Sequence, residues 1–406
     1  MHRSIVILFA AATVACGRTG LLDDPPPAQP SPVEVHRTVF MAVSDGAWTL
    51  FASDGTPDGT HAIGLVSADT TGGVPQPGQS FAGRHFFPCS GGSLCVSDGI
   101  TSTRFLELNA HQLTVAAGSL FFLTDPGTLW RSSDGQSAAV VHTSTGAVTL
   151  LIANDRSLVY WADGALWRIT PTDALPTRIG DHSERVPGAV ELGDTLFFVG
   201  FDPAHGKELW KSTSDGLLER VTDLTPGPGS SVSASELVVA GDQLFFVANS
   251  RQRVGLYSMR ETDVAPAFRH EAWWFPQLTR VGTECAFAWD DTLWLASGSE
   301  VREAARGSHL WALSVARGKL HYTSREGTSD VLWRLDESGP RELHRFSEQL
   351  FSVTPVADAL FFRGAGDAAG SEPWMVRGDE VTRIADLAAG PASSLPANFR
   401  EMTSTR

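Results

Sequence analysis

Few side chains in this 406-residue chain are spaced for chemistry, and the clearest group is His270-Glu271-Ala272-Trp273-Trp274. A histidine beside a carboxylate could move a proton, and two neighbouring indoles could stack on a sugar ring. A zinc-protease helix would need a second histidine at the position of Trp274, so that motif is excluded. Because the segment breaks the pattern around it, His270, Glu271, Trp273 and Trp274 are expected to form a ligand-facing loop. Asp54-Gly55-Thr56-Pro57-Asp58-Gly59 begins like a calcium-binding loop, but the bidentate glutamate would fall at Leu65. The better reading is turn chemistry, with Asp54-Gly55 supplying the positive φ of a tight hairpin. No Gly-x-Ser-x-Gly elbow occurs, and no glycine-rich phosphate loop follows a strand. These observations assign no catalytic residue, no metal site and no cofactor.

The four cysteines separate by context. Cys89 and Cys95 bracket Ser90-Gly91-Gly92-Ser93-Leu94, a hairpin-sized loop, and are expected to form a disulfide in an oxidising compartment. Cys285, next to Ala286-Phe287-Ala288-Trp289, reads as a small buried hydrophobe. Cys16 follows a positive start, Met1-His2-Arg3, and an apolar run from Ile5 to Val14 that suits a signal peptide and is too short to span a bilayer. Thr13-Val14-Ala15-Cys16 resembles the lipobox cleaved before an acylated cysteine. Residues 1–15 are thus expected to be a signal peptide. Residues 16–36, with Asp23-Asp24-Pro25-Pro26-Pro27, read as a lipidated Cys16 and a stiff, solvated tether.

The elements that must position these groups are set by a repeat. Leu129-Trp130, Leu166-Trp167, Leu209-Trp210, Leu256-Tyr257, Leu293-Trp294, Leu332-Trp333 and Pro373-Trp374 recur at roughly 40-residue intervals. Leu50-Phe51 and Leu94-Cys95 extend the series, and the unit around Cys285 to Ala296 is among the least regular. Each unit reads as four short strands. The second is a continuous apolar run such as Leu120-Phe121-Phe122-Leu123, which implies burial on both faces. The third holds the Leu-Trp pair and ends at an Asp-Gly turn (Asp98-Gly99, Asp134-Gly135, Asp215-Gly216).

Inner strands covered on both faces point to an all-β chain folded as one β-propeller of eight or nine four-stranded antiparallel blades, spanning residues 37–402. A sandwich would show cleaner alternation. A helical solenoid is excluded by the glycine, proline and β-branched content. Two smaller propellers in tandem would need a linker, and no break in composition supplies one. The first unit lacks a first strand before Val39 to Ala42, while Leu395 to Phe399 stands where another blade would begin. Their pairing is expected to close the ring. Trp210 and Trp374, locked to one position of the repeat, are expected to be buried between neighbouring blades.

The phrase Glu208-Leu209-Trp210-Lys211-Ser212 with Asp215-Gly216, and Ser53-Asp54-Gly55-Thr56-Pro57-Asp58-Gly59-Thr60, resemble the ELWxxDGT (hyalin-like) repeat proteins of bacterial cell surfaces. The resemblance implies a secreted or surface-anchored protein and carries over no catalytic residue. Pro373 stands in place of the motif leucine in the last copy, and Arg377-Gly378-Asp379 in place of its turn.

A net charge of −15 and only three lysines leave no basic stripe, which excludes nucleic acid as a partner. His85, His205, His309 and His321 are spread over different units and form no sequence cluster. The expected function is binding or structural: an envelope lipoprotein, held to the membrane through its N-terminal lipid, that contacts a glycan or protein ligand. A carbohydrate-active hydrolase or lyase on a propeller, or a scaffold subunit of an envelope complex, is the alternative. Fold alone does not choose among these.

Overall fold

The computed structural model describes residues 34–405 other than 72, 126, 183–185, 187, 213–216, 251–252, 262, 271–276, 367–369 and 390–391. The chain forms nine four-stranded antiparallel sheets arranged as the blades of one propeller. Blade 1 joins strands from both ends of the chain. Blades 2 to 9 follow in order over residues 79–106, 110–143, 149–181, 189–220, 232–270, 278–306, 311–346 and 351–383. The innermost strand of every blade lies against the innermost strand of the next, around the full circle.

The apolar second strands explain the stacking. In blade 3, Leu120 and Phe122 pack with Phe86 of blade 2, whereas Phe121 and Leu123 pack with Leu158 and Tyr160 of blade 4. Blade 6 repeats the arrangement, with Leu244 and Phe246 turned to blade 5 and Phe245 and Val247 to blade 7. Alternate side chains point to opposite faces of a strand, so an unbroken apolar run is what a blade between two others requires. Each such aromatic contributes on the order of 1.5–3 kcal/mol by leaving water.

Closure follows the missing-strand argument. Strand Glu34–Ser44 pairs on one side with Ala47–Ser53 and on the other with Ala397–Thr405. The seam runs from Glu34↔Thr405 to Met41↔Ala397, with a register shift between Val39 and Met41. Leu395 precedes the closing strand, and the Val43 amide donates to the Ser394 carbonyl at 2.6 Å. Phe399 packs against Phe40 of its own blade and Phe361 of blade 9, at 5.2 and 5.8 Å between ring centroids.

The repeated tryptophans sit between blades, as expected, but only half-buried. Three stack on a ring of their own second strand, Trp210 on Phe198 (6.4 Å), Trp130 on Phe122 (6.1 Å) and Trp333 on Tyr322 (6.4 Å). Four meet a ring from the outer edge of the preceding blade: His142 for Trp167 (4.9 Å), His182 for Trp210 (5.6 Å), Phe268 for Trp294 (5.0 Å) and Phe346 for Trp374 (5.2 Å). The third strand lies far enough from the axis that one edge of the indole still meets solvent.

Candidate functional site

The two best-preserved copies of the repeat phrase carry a buried carboxylate. Glu208 and Glu372 are fully buried on third strands. Glu208 accepts hydrogen bonds from the Thr222 hydroxyl at 2.6 Å and from the Ser231 hydroxyl, both in the crossover to blade 6. Glu372 accepts from the Leu387 amide at 3.0 Å and from the amide and hydroxyl of Ser394, at 3.3 and 2.7 Å. Burial pushes both carboxyls above the usual range against these hydrogen bonds, which favour the charged form. Each glutamate therefore fastens the loop that carries the chain from one blade to the next. That role is structural, and it accounts for the pairing of the Glu-Leu-Trp phrase with the downstream Thr-Asp-Leu and Ser-Ser phrases.

The Asp-Gly turns are also self-satisfied. Oδ1 of Asp54 accepts from the Thr56 amide (2.9 Å) and hydroxyl (2.6 Å), and these bonds hold its carboxyl below the usual range. Asp98 and Asp134 cap the two amides that follow their own turns in the same way. With the carboxylate turned into its own loop, turn chemistry is the right account of this motif. Cys89 and Cys95 form a disulfide across the central hairpin of blade 2, and Cys285 is buried in the core. His85 and His321 are buried core residues, whose imidazoles burial lowers to about 3 and about 4.

His270 closes the outermost strand Asp263–His270 of blade 6, opposite Val254. Glu271, Trp273 and Trp274 lie outside the described residues, as does Cys16. The crossover to which they belong leads into blade 7.

Blade 7 differs from its neighbours in height. Its second strand, Glu284–Trp289, has 6 residues, whereas Gln243–Ser250 in blade 6 and Lys319–Glu326 in blade 8 have 8 each. All three begin directly after an equivalent two-residue turn, paired as Ala240↔Gln243, Val281↔Glu284 and Ala316↔Lys319. The missing pair of residues therefore comes off the opposite end, and the hairpin of blade 7 stops roughly 7 Å short of its neighbours at about 3.3 Å per residue. Asp290 and Asp291 make the turn, both at positive φ (45° and 58°).

A cavity of about 860 Å³ opens above this shortened hairpin, between blades 7 and 8. Its floor includes Trp289, Asp290 and Asp291, and its walls include His309, Trp311, Arg325 and Gln349. Three hydrogen bonds fix the wall between the blades. Asp291 Oδ1 accepts from the His309 amide (2.7 Å), Asp291 O from the Gly307 amide (2.9 Å), and Ser308 O from the Arg325 amide (2.8 Å). Arg325 sits on the part of blade 8 that overtops blade 7, and its Nε is held by the buried carboxylate of Asp330. Asp330 also accepts from the Leu350 amide at 2.9 Å, so it fastens the next crossover much as Glu208 does. Trp311 precedes Ala312, a non-glycine residue at φ 51° where the innermost strand of blade 8 bulges. Bulges re-aim side chains, and here the re-aimed segment borders the cavity.

The arrangement pairs a half-buried indole with carboxylates, an amide, an imidazole and a guanidinium in a concave site of ligand size. A second cavity, of about 380 Å³ on the other face between blades 9 and 1, is lined by Arg37, Asp54, Asp358, Arg377 and Glu401. There Asp358 is already paired with Arg317 and Arg377. Among the described residues no three metal-binding side chains cluster.

No family model and no curated protein sequence matches the chain. Among solved structures it is similar to BamB from Moraxella catarrhalis, at 13% identity and TM-score 0.44, covering 73% of this chain and 91% of that one. Dihydro-heme d1 dehydrogenase NirN matches at 15% identity and TM-score 0.46, over 76% of this chain and 72% of that one. Porphyromonas gingivalis dipeptidyl peptidase 4 matches at 12% identity and TM-score 0.45, over 86% of this chain but only 60% of that one. At such identities nothing about ligand or activity follows for this chain.

Proposed function

We propose that the protein is an exported, lipid-anchored propeller of the cell envelope that binds an extracytoplasmic glycan or protein ligand and does not transform it. The observation that carries this reading is the cavity over blade 7. There a recessed blade, an indole and several polar side chains combine on the face where the central hairpins and crossovers emerge. Elsewhere the charged groups that stand out in the sequence are spent on fastening loops, Glu208, Glu372 and Asp54 among them. Export is supported by the apolar leader and the Thr13-Val14-Ala15-Cys16 phrase, and by the Cys89–Cys95 disulfide, a bond that persists in oxidising compartments.

Two measurements test the reading. Cys16→Ser should release the protein from the membrane fraction or leave an uncleaved precursor, and unchanged processing and association would refute the anchor. The purified full-length protein should retain a component from a glycan array or an envelope-protein extract and release it chemically intact. Recovery of a cleaved product would replace binding with catalysis.

A further inference from the structure

We propose that the cavity between blades 7 and 8 binds a short neutral oligosaccharide, with Trp311 as the stacking surface and Asp291, Arg325 and Gln349 as partners for its hydroxyls. The inference rests on the binding reading above and names the ligand class of that same site.

Three side chains of the site converge on this ligand. Trp311 is only half-buried, borders the cavity, and is braced from behind by Phe351, whose ring lies edge-on at 6.5 Å and is itself covered by the Arg363 guanidinium at 4.1 Å. A braced indole presents a rigid apolar face, the kind that accepts the C–H face of a pyranose ring. Around it stand side chains that hydrogen-bond in pairs. Asp330 holds only the Nε of Arg325 among the described residues, so the terminal amino groups of the guanidinium remain as donors. Gln349 is exposed and has no hydrogen-bond partner among the described residues, which offers both a donor and an acceptor. Forks of this kind match vicinal hydroxyls, which donate and accept at once.

The charge balance narrows the class further. Arg325 is neutralised by Asp330, and the exposed carboxylate of Asp291 stands at the floor of a protein with net charge −15. A uronate or sialylated chain would be repelled there. A peptide ligand commonly joins an exposed strand edge or lays an apolar helix face into a groove. The cavity offers no strand edge, since its floor is a closed two-residue hairpin, and the exposed Asp291 and Gln349 stand where an apolar helix face would have to lie. The volume, about 860 Å³, is that of a site for a small ligand.

The test uses purified full-length protein. A neutral-glycan array is followed by titration with linear trisaccharides of glucose, mannose and N-acetylglucosamine, using tri-galacturonate and tri-lysine as controls. Intrinsic tryptophan fluorescence and calorimetry are read at low and high salt. The expected result is binding of at least one neutral saccharide, unchanged by salt, with tri-galacturonate and tri-lysine silent. Gln349→Ala should weaken it several-fold without moving the melting temperature. Trp311→Ala should weaken it by about tenfold or more, and Trp311→Phe by less, in keeping with a central aromatic anchor. Absence of binding to every neutral glycan overturns the proposal, as does binding indifferent to both Gln349→Ala and Trp311→Ala. A preference for either charged control also overturns it. If an envelope protein is retained and Gln349→Ala abolishes its capture while no saccharide binds, the glycan assignment falls and the binding reading stands. If neither pool yields a ligand, both fall.

Discussion

Glu208 shows how a residue can be conspicuous in sequence and still be misjudged. As the first letter of a repeated Glu-Leu-Trp phrase it reads as a mark of architecture, while a buried carboxylate in isolation would read as an active-site candidate. Its hydrogen-bond partners, Thr222 and Ser231, stand 14 and 23 residues downstream. No local pattern links them, because the loop that brings them back exists only once blade 6 is in place. Glu208→Ala strands two buried hydroxyls and should cost about 2–4 kcal/mol, read by chemical denaturation. Glu208→Gln keeps an acceptor and should cost less. Burial raises the folded-state pKa of Glu208 above the ordinary glutamate value of 4.5, so the wild type binds its proton more tightly when folded. Its contribution is then full below that value and declines as pH rises through the folded one. The glutamine variant has no such decline, so its standing relative to wild type should improve steadily from acid to neutral pH. A pH-independent gap would contradict the burial argument.

At the scale of the strand and hairpin, much was legible. Continuous apolar runs gave the second strands, the Leu-Trp pairs the third, and Asp-Gly the turns, because each reflects a local requirement of a blade held between two others. The half-exposure of Trp210 was not legible, since distance from the axis is not written in any one repeat. Its packing role is still testable. Trp210→Ala removes a ring held between Phe198 and His182, and should lower stability towards the lower end of the roughly 3–5 kcal/mol typical of Trp→Ala. A melting temperature equal to wild type, with a ligand lost instead, would turn the Leu-Trp series into a binding surface. The recess of blade 7 had one faint signal. The unit from Cys285 to Ala296 is among the least regular, and its hairpin turns at Asp290-Asp291 two residues early. A deletion of that size looks like ordinary repeat wear until the heights of the neighbouring hairpins are compared. The loop at His270 to Trp274 drew attention by composition alone, and only His270 lies within the described strands.

For the whole molecule, the number of blades was uncertain by one because worn copies blur a period, whereas closure was readable from one missing strand and one surplus strand. Removing residues 397–406 would strip Phe399 from Phe40 and Phe361 and expose the edge of Glu34–Ser44. The truncated chain should melt at a clearly lower temperature and self-associate on size-exclusion chromatography, as unpaired strand edges do. A monomer with the wild-type melting temperature would mean that the ring does not depend on its seam. The same seam has a mechanical consequence. Strand Glu34–Ser44 is flanked on both sides by paired strands, and any tether attached ahead of it pulls along the strand axis. Such a load meets the ladder hydrogen bonds in shear, many at once, instead of peeling them singly from an end. A ring loaded in this way would hang from its own clasp, with the tension borne by the blade that the two end strands build together.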